Sequence, residues 1–170
     1  LKKLKELSGH KEIIRMQGSA SLAIEVMILN YLYGNILVVD TGYYSARLSG
    51  IIQNSLSKLS KNTINLDIVN WNDLNSVKGN YDWVVACYTE TSCGLKLPIE
   101  LLSELSISLS AKLMLDATAS IGLEKNHSLA HVIAYSSCKG LFGLTGASFI
   151  AYNQLPTNKV DSFYLDFASH

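Results

Sequence analysis

The sequence predicts one α/β domain, a three-layer sandwich in which helices cover both faces of a mostly parallel sheet. Short apolar runs rich in β-branched residues recur along the chain, and stretches with helical periodicity separate them. The composition is that of a well-cored domain, with 48% hydrophobic and only 16% charged residues in a chain of 170. Strand and helix in alternation favour parallel pairing, and in such sheets ligands bind outside the carboxyl ends of the strands.

Taken in order, residues 1–6 form a charged amphipathic stretch that is too polar for a signal peptide. Leu22, Val26, Leu29 and Tyr33 share one face of an amphipathic helix beginning near Leu22. A strand follows at 36–40, then a second amphipathic helix whose inner face carries Leu48, Ile51, Ser55 and Leu59. Strands are expected at 64–69 and 83–87. Pro98 suits the first turn of a helix carrying Leu101, Leu102 and Leu105, because the N–H it lacks has no partner at a helix start. Three more strands are expected at 112–116, 132–135 and 148–152, and residues 163–167 read as a further strand-like run. No repeat, low-complexity tract or Gly/Ser linker divides the chain, so residues 1–170 are read as one domain. The chain lacks an initial methionine and stops just after an apolar run, and it is expected to be a piece of something longer.

Charge and cysteines narrow the function. Net charge is zero and the 14 basic residues are scattered, which removes the electrostatic footprint of a nucleic-acid or anionic-membrane partner. No apolar run approaches the roughly 20 residues of a spanning helix. A small-molecule partner is therefore expected. Cys87, Cys93 and Cys138 form neither an even framework nor a Cys-x-x-Cys pair, which predicts free thiols and a cytoplasmic location.

The candidate chemistry lies at five strand or helix junctions. Gln17-Gly18-Ser19-Ala20-Ser21 precedes a helix, where small residues, free N–H groups and the helix dipole suit a phosphate, although a simple N-cap has the same composition. Thr41-Gly42-Tyr43-Tyr44-Ser45-Ala46-Arg47 follows a strand and offers Tyr44 to stack on a flat ring. Thr89 to Gly94 brings several hydroxyls and Glu90. Asp116 ends a buried strand, where its carboxylate could pair with a protonated ring nitrogen, cap the next turn or hold magnesium. Lys139 sits in the glycine-rich turn Ser136-Ser137-Cys138-Lys139-Gly140, where partial desolvation makes an amine nucleophilic toward aldehydes; most lysines are simply solvated charges.

In joint order these motifs resemble the class V, fold-type I aminotransferases that use pyridoxal phosphate, most closely the 2-aminoethylphosphonate:pyruvate aminotransferases. Gly18-Ser19-Ala20-Ser21 is similar to that family's Gly-Ser-Gly-Thr phosphate turn, and the Tyr44 loop to its Asn-Gly-x-Tyr-Gly-x-Arg. Glu90-Thr91-Ser92-Cys93-Gly94 looks like Glu-Thr-Thr-Thr-Gly, and Asp116-Ala117-Thr118-Ala119-Ser120 like Asp-Ala-x-Ser-Ser. Ser136-Ser137-Cys138-Lys139 resembles Ser-Ser-x-Lys, 23 positions after Asp116. The resemblance implies the large domain of such an enzyme, with Lys139 as the Schiff-base lysine and catalytic acid–base. It implies that Ser19, Ala20, Ser21 and Ser137 contact the cofactor, that Tyr44 and Thr118 lie on opposite ring faces, that Ser92 lies near the phenolic oxygen and that Asp116 pairs with the ring nitrogen. It also implies a small-molecule amino donor and keto acid, a homodimer, and a carboxy-terminal small domain supplying the substrate arginine. Ala20 departs from the family's glycine, and a positive φ there would be strained.

Other readings remain open. The same scaffold serves lyases, desulfurases and alanine:glyoxylate transfer, and it could persist without turnover. A nucleotide-binding domain lacks its glycine signatures here. No metal site is expected, because Glu124, His127 and His131 lack the His-Glu-x-x-His order and border a strand.

Overall fold

The computed structural model describes residues 1–56 and 64–170. In chain order it contains α1 (Lys2–Ser8), β1 (Glu12–Gln17), α2 (Ala20–Tyr31), β2 (Gly34–Asp40), α3 (Tyr43–Leu56), β3 (Ile64–Asn70), β4 (Trp83–Cys87), β5 (Thr89–Glu90), β6 (Leu95–Lys96), α4 (Ile99–Ser108), β7 (Lys112–Asp116), β8 (Val132–Ser136) and β9 (Ala147–Tyr152). Short 3₁₀ segments at Trp71–Ser76, His127–Leu129, Lys139–Leu141 and Phe167–Ser169 complete it.

Seven strands form one sheet in the order β1-β9-β8-β7-β4-β2-β3. The run from β8 to β3 is parallel, while β9 pairs antiparallel with both β8 and β1. Every residue of β4 and of β8 is buried, as a strand covered on both faces requires. Period-two alternation feeds the two cores. Ile36, Val38, Val85 and Met114 pack against Met27, Ile28, Leu48 and Ile52 of α2 and α3, whereas Leu37, Val84, Leu113 and Ile133 pack against Leu102 and Leu105 of α4. Three layers result, as the sequence predicts.

The differences have local causes. The strand β1 was not expected; it is the sheet's outer strand, and its burial follows no strict alternation because Ile13 and Ile14 are both covered. The helix α2 is not amphipathic: from Ala23 to Tyr31 only Glu25 escapes burial. The sheet covers one side of it and the carboxy-terminal segment the other, where Asn30 Nδ2 donates to the Leu165 carbonyl and Asn158 Nδ2 to the Leu32 carbonyl. Tyr33 falls beyond this helix. In α3 Leu48 and Ser55 are buried, and Leu59 lies outside the described residues. Pro98 is the N-cap of α4, one position before the first turn, and Leu101 faces outward. Residues 163–167 form no strand; Phe167 instead packs edge-on against Tyr31 and Tyr152.

The three cysteines are free. Among the described residues no helix is long and apolar enough to cross a membrane. Glu124, His127 and His131 do not converge: Glu124 pairs with Lys96, His127 Nε2 lies 2.9 Å from Ser120 Oγ, and His131 packs edge-on against Trp83.

Candidate active site

The strands β2, β4, β7 and β8 end at Asp40, Cys87, Asp116 and Ser136, and the parallel register sets Cys87 beside Asp116. Their loops and the start of α2 enclose a cavity of about 200 Å³. Ser19, Ala20, Ser21, Tyr44, Arg47, Cys87, Thr89, Thr91, Asp116, Thr118, Ser136, Cys138 and Lys139 line it. Of the residues singled out in the sequence, Lys139, Ser19, Ala20, Ser21, Tyr44, Asp116 and Thr118 are therefore brought together.

Asp116 forms the floor. Its Oδ1 accepts from the Thr118 amide at 2.9 Å and the Thr118 hydroxyl at 2.5 Å. Among the described residues Oδ2 accepts nothing. Burial pushes this carboxyl above the usual carboxylate range; the Thr118 hydrogen bonds and the Arg47 charge pull it back in part, and Glu90 pushes it further up. The Cys87 thiol beside it is pushed up by burial, then by Asp116 and Glu90, so it is neutral at physiological pH.

Lys139 heads the turn after β8 with φ at 58°, a left-handed conformation that strains a side chain other than glycine. The turn is locked from below. The Gly140 amide donates to the Thr118 carbonyl at 3.2 Å, and a Cβ on Gly140 would stand 2.2 Å from the Ile121 carbonyl oxygen. Replacing Gly140→Ala is expected to cost on the order of 1–3 kcal/mol in chemical denaturation, because backbone and not a flexible side chain must move. Lys139 Nζ lies 6.0 Å from the centre of the Tyr44 ring, so amine and ring face the same space.

At the opposite end, Ser19 is the N-cap of α2 in extended conformation and Ala20 its first helical residue. The strain expected at Ala20 does not arise; the positive φ falls on Gly18 instead. Arg47 Nη2 donates to Ser21 Oγ, placing a guanidinium beside the helix start.

Ser92 and Ser137 are not brought to the cavity wall. Cys87, Thr89 and Thr91 face the cavity, while Glu90 turns toward α3 and Ser92, in the turn that follows, is held against it. Ser92 Oγ donates to Glu90 Oε1 at 2.5 Å and accepts from the Tyr43 amide at 3.2 Å. Ser136 and Cys138 likewise face inward, and Ser137 Oγ donates to the Leu144 carbonyl at 2.5 Å. Polar wall residues that were not anticipated are Arg47, Cys87, Thr89, Thr91, Ser136 and Cys138. The hydroxyl of Thr89 is buried and finds no partner among the described residues.

The sequence matches no family model, and no curated protein matches it. Solved structures do resemble it. An aspartate aminotransferase of subgroup IV from Thermus thermophilus matches with a TM-score of 0.79 at 20% identity, covering 98% of this chain and 51% of that one. Ureidoglycine-glyoxylate aminotransferase from Bacillus subtilis matches at 0.78 and 18%, covering 98% and 48%. An alanine–glyoxylate aminotransferase from Nostoc sp. matches at 0.77 and 21%, covering 97% and 48%. The chain spans about half the length of each, and its fold is that of the matching half.

Proposed function

We propose that this chain is the cofactor-binding part of a pyridoxal-phosphate-dependent aminotransferase, with Lys139 as the residue that holds the cofactor covalently. The observation that carries this reading is the convergence of four different groups from four junctions on one small cavity: an amine, an aromatic face, a buried carboxylate with an unused oxygen, and a helix N-terminus.

The residues present fit the cofactor. Asp116 is largely buried and lines the cavity, its Oδ2 accepts no hydrogen bond among the described residues, and a poorly solvated carboxylate is costly until a cationic N–H meets it. A protonated pyridine nitrogen is such a donor. The Ser19, Ala20 and Ser21 start of α2, with Arg47 against it, suits a phosphate. The orphaned Thr89 hydroxyl and the Thr91 side chain are available to ring substituents. When bound, pyridoxal phosphate supplies an aldehyde and an electron-withdrawing ring that stabilises negative charge on an attached amino acid.

The chain's own groups do the rest. Lys139 Nζ would hold the cofactor through its aldehyde group, and the same amine, when free, would carry a proton as base and then as acid. Asp116 keeps the ring nitrogen protonated, and Thr118 keeps Asp116 pointed by holding its other oxygen. Tyr44 and Thr118, both on the cavity wall, would limit the rotation of the ring and exclude water from it.

The sequence resemblance points to a 2-aminoethylphosphonate-like donor and to pyruvate or a similar keto acid as acceptor. A cavity of about 200 Å³ is smaller than the roughly 300–1,000 Å³ of a site that encloses its ligand. We accordingly assign the remaining walls, with the arginine for the substrate carboxylate, to a small domain and to a second copy in a homodimer. The 170 residues alone are then expected to bind the cofactor without turning over donor and pyruvate. The test is borohydride reduction of the full-length protein with pyridoxal phosphate, followed by peptide mass spectrometry. The pyridoxyl mass is expected on Lys139; finding it on another lysine, or on none, overturns the assignment.

A further inference from the structure

We propose that Glu90 is a positioning residue of this site: its buried carboxylate ties the first turn of α3 to the loop after β4 and thereby holds the Tyr44 ring over the cavity. The inference rests on the reading given under Proposed function, because Tyr44 matters only if a flat ring lies there.

Glu90 is fully buried, and among the described residues it has no ion-pair partner. Such a carboxylate is retained only where hydrogen bonds replace its water. Its donors come from two segments. Oε2 accepts from the Tyr44 and Ser45 amides, both at 3.1 Å, and from the Thr41 hydroxyl at 3.4 Å. Oε1 accepts from the Ser92 hydroxyl at 2.5 Å and the Ser92 amide at 3.2 Å. Burial would raise the carboxyl, but the Ser92, Ser45 and Tyr44 hydrogen bonds outweigh it and hold the group below its usual range, ionised at the N-terminus of α3.

The first three amides of α3, on Tyr43, Tyr44 and Ser45, all donate into one short loop, either to Glu90 or to the Ser92 hydroxyl that Glu90 itself holds. An ordinary cap for the preceding turn is already present, since Ser45 Oγ accepts from the Thr41 and Gly42 amides and donates to Asp40. Glu90 therefore does something more than end a helix. It fixes the backbone of the residue whose ring lies 6.0 Å from Lys139 Nζ. Gly42 makes the approach possible: a Cβ there would come within 3.1 Å of Glu90 Cγ and 3.0 Å of Ser92 Oγ, at a φ of 148°.

The test is pyridoxal phosphate titration of the full-length protein, following the visible band and its induced circular dichroism. Wild type, Glu90→Gln, Tyr44→Ala and the double variant are compared. Glu90→Gln sets an NH₂ group against converging donors without changing size. It is expected to weaken binding about tenfold and to shrink the dichroic band, since loss of ring stacking is an effect of that order. Combined with Tyr44→Ala it should add no further loss, because it acts through that ring. Should Glu90→Gln fail to fold, Glu90→Asp keeps the charge, falls short of the α3 amides and is expected to show the same pattern. Unchanged affinity and dichroism in Glu90→Gln, or losses that multiply in the double variant, overturn the role of Glu90. Failure of wild type to form a band or to be trapped at Lys139 overturns the cofactor reading itself, and the inference with it.

Discussion

On the proposed function, replacing Lys139→Ala is expected to abolish both the covalent cofactor band and transamination, with a rate loss of at least about 10³-fold, since the proposed nucleophile and proton carrier would disappear together. The fold should survive. Lys139 is exposed and its side chain makes no hydrogen bond among the described residues, so little beyond its approach to the Tyr44 ring leaves with it. Its backbone is strained at a φ of 58°, a strain that alanine shares, and the unfolding midpoint should move little. Two measurements are decisive: visible absorbance after adding pyridoxal phosphate, and single-turnover consumption of the amino donor. A variant that keeps the shifted band has its attachment elsewhere, and that result removes Lys139 from the mechanism. Noncovalent binding should persist, weakened, because Asp116, Tyr44 and the α2 start are untouched.

The strand exits are legible in the sequence for a physical reason. Strands buried on both faces read as uninterrupted apolar runs, and 83–87 and 112–116 end in the structure where the sequence ends them. Polar residues abutting such runs have nowhere to lie except at the sheet edge, so the apolar runs by themselves put Asp116 and Lys139 there. The outer strand β1 escapes this logic because adjacent Ile13 and Ile14 mimic neither alternation nor a long run. Within loops, motif order finds the right segment but not the right hydroxyl. Ser92 and Ser137 each stand one residue from a wall residue, but Ser92 turns to Glu90 and the Tyr43 amide and Ser137 to the Leu144 carbonyl. At Lys139 the φ is left-handed, and the residue lines the cavity directly after Cys138. No sequence pattern announces that φ.

The left-handed backbone at Lys139 and the unpaired oxygen of Asp116 are features of one kind: each is a local cost to the fold at the cavity wall. Both lie where the tightest backbone contacts of this edge also lie. The Gly140 amide reaches the Thr118 carbonyl, so the turn carrying the amine and the turn carrying the carboxylate are joined by a hydrogen bond of 3.2 Å. Amine and carboxylate are thus set relative to each other by backbone, and either can be altered chemically without moving its counterpart.

That separation makes Asp116→Asn the sharper test, because its effects on stability and on activity should have opposite signs. Asparagine keeps Oδ1 for the Thr118 amide and hydroxyl, so the local geometry is retained. In the empty protein, burial raises the Asp116 carboxyl above its unfolded value, which means the folded state holds the proton more tightly. Such a group contributes its stability below the unfolded pKa of about 3.9 and loses it as pH rises through the folded value. At pH 8, above the unfolded value, the wild type has therefore lost stability that its carboxyl contributes at low pH, a loss that the non-titrating asparagine is spared. The cofactor-free variant should melt above wild type at pH 8, and the gap should close as pH falls toward 4. With the cofactor bound the sign reverses. A neutral amide cannot hold the ring nitrogen protonated, and turnover should fall on the order of 10²–10³-fold, the scale of losing one preorganised electrostatic contact in a buried site. Melting curves of the empty protein at pH 4 and pH 8, set beside single-turnover rates of the loaded one, separate the two effects. A variant that is less stable when empty, or as fast as wild type when loaded, shows that Oδ2 does not await a cation.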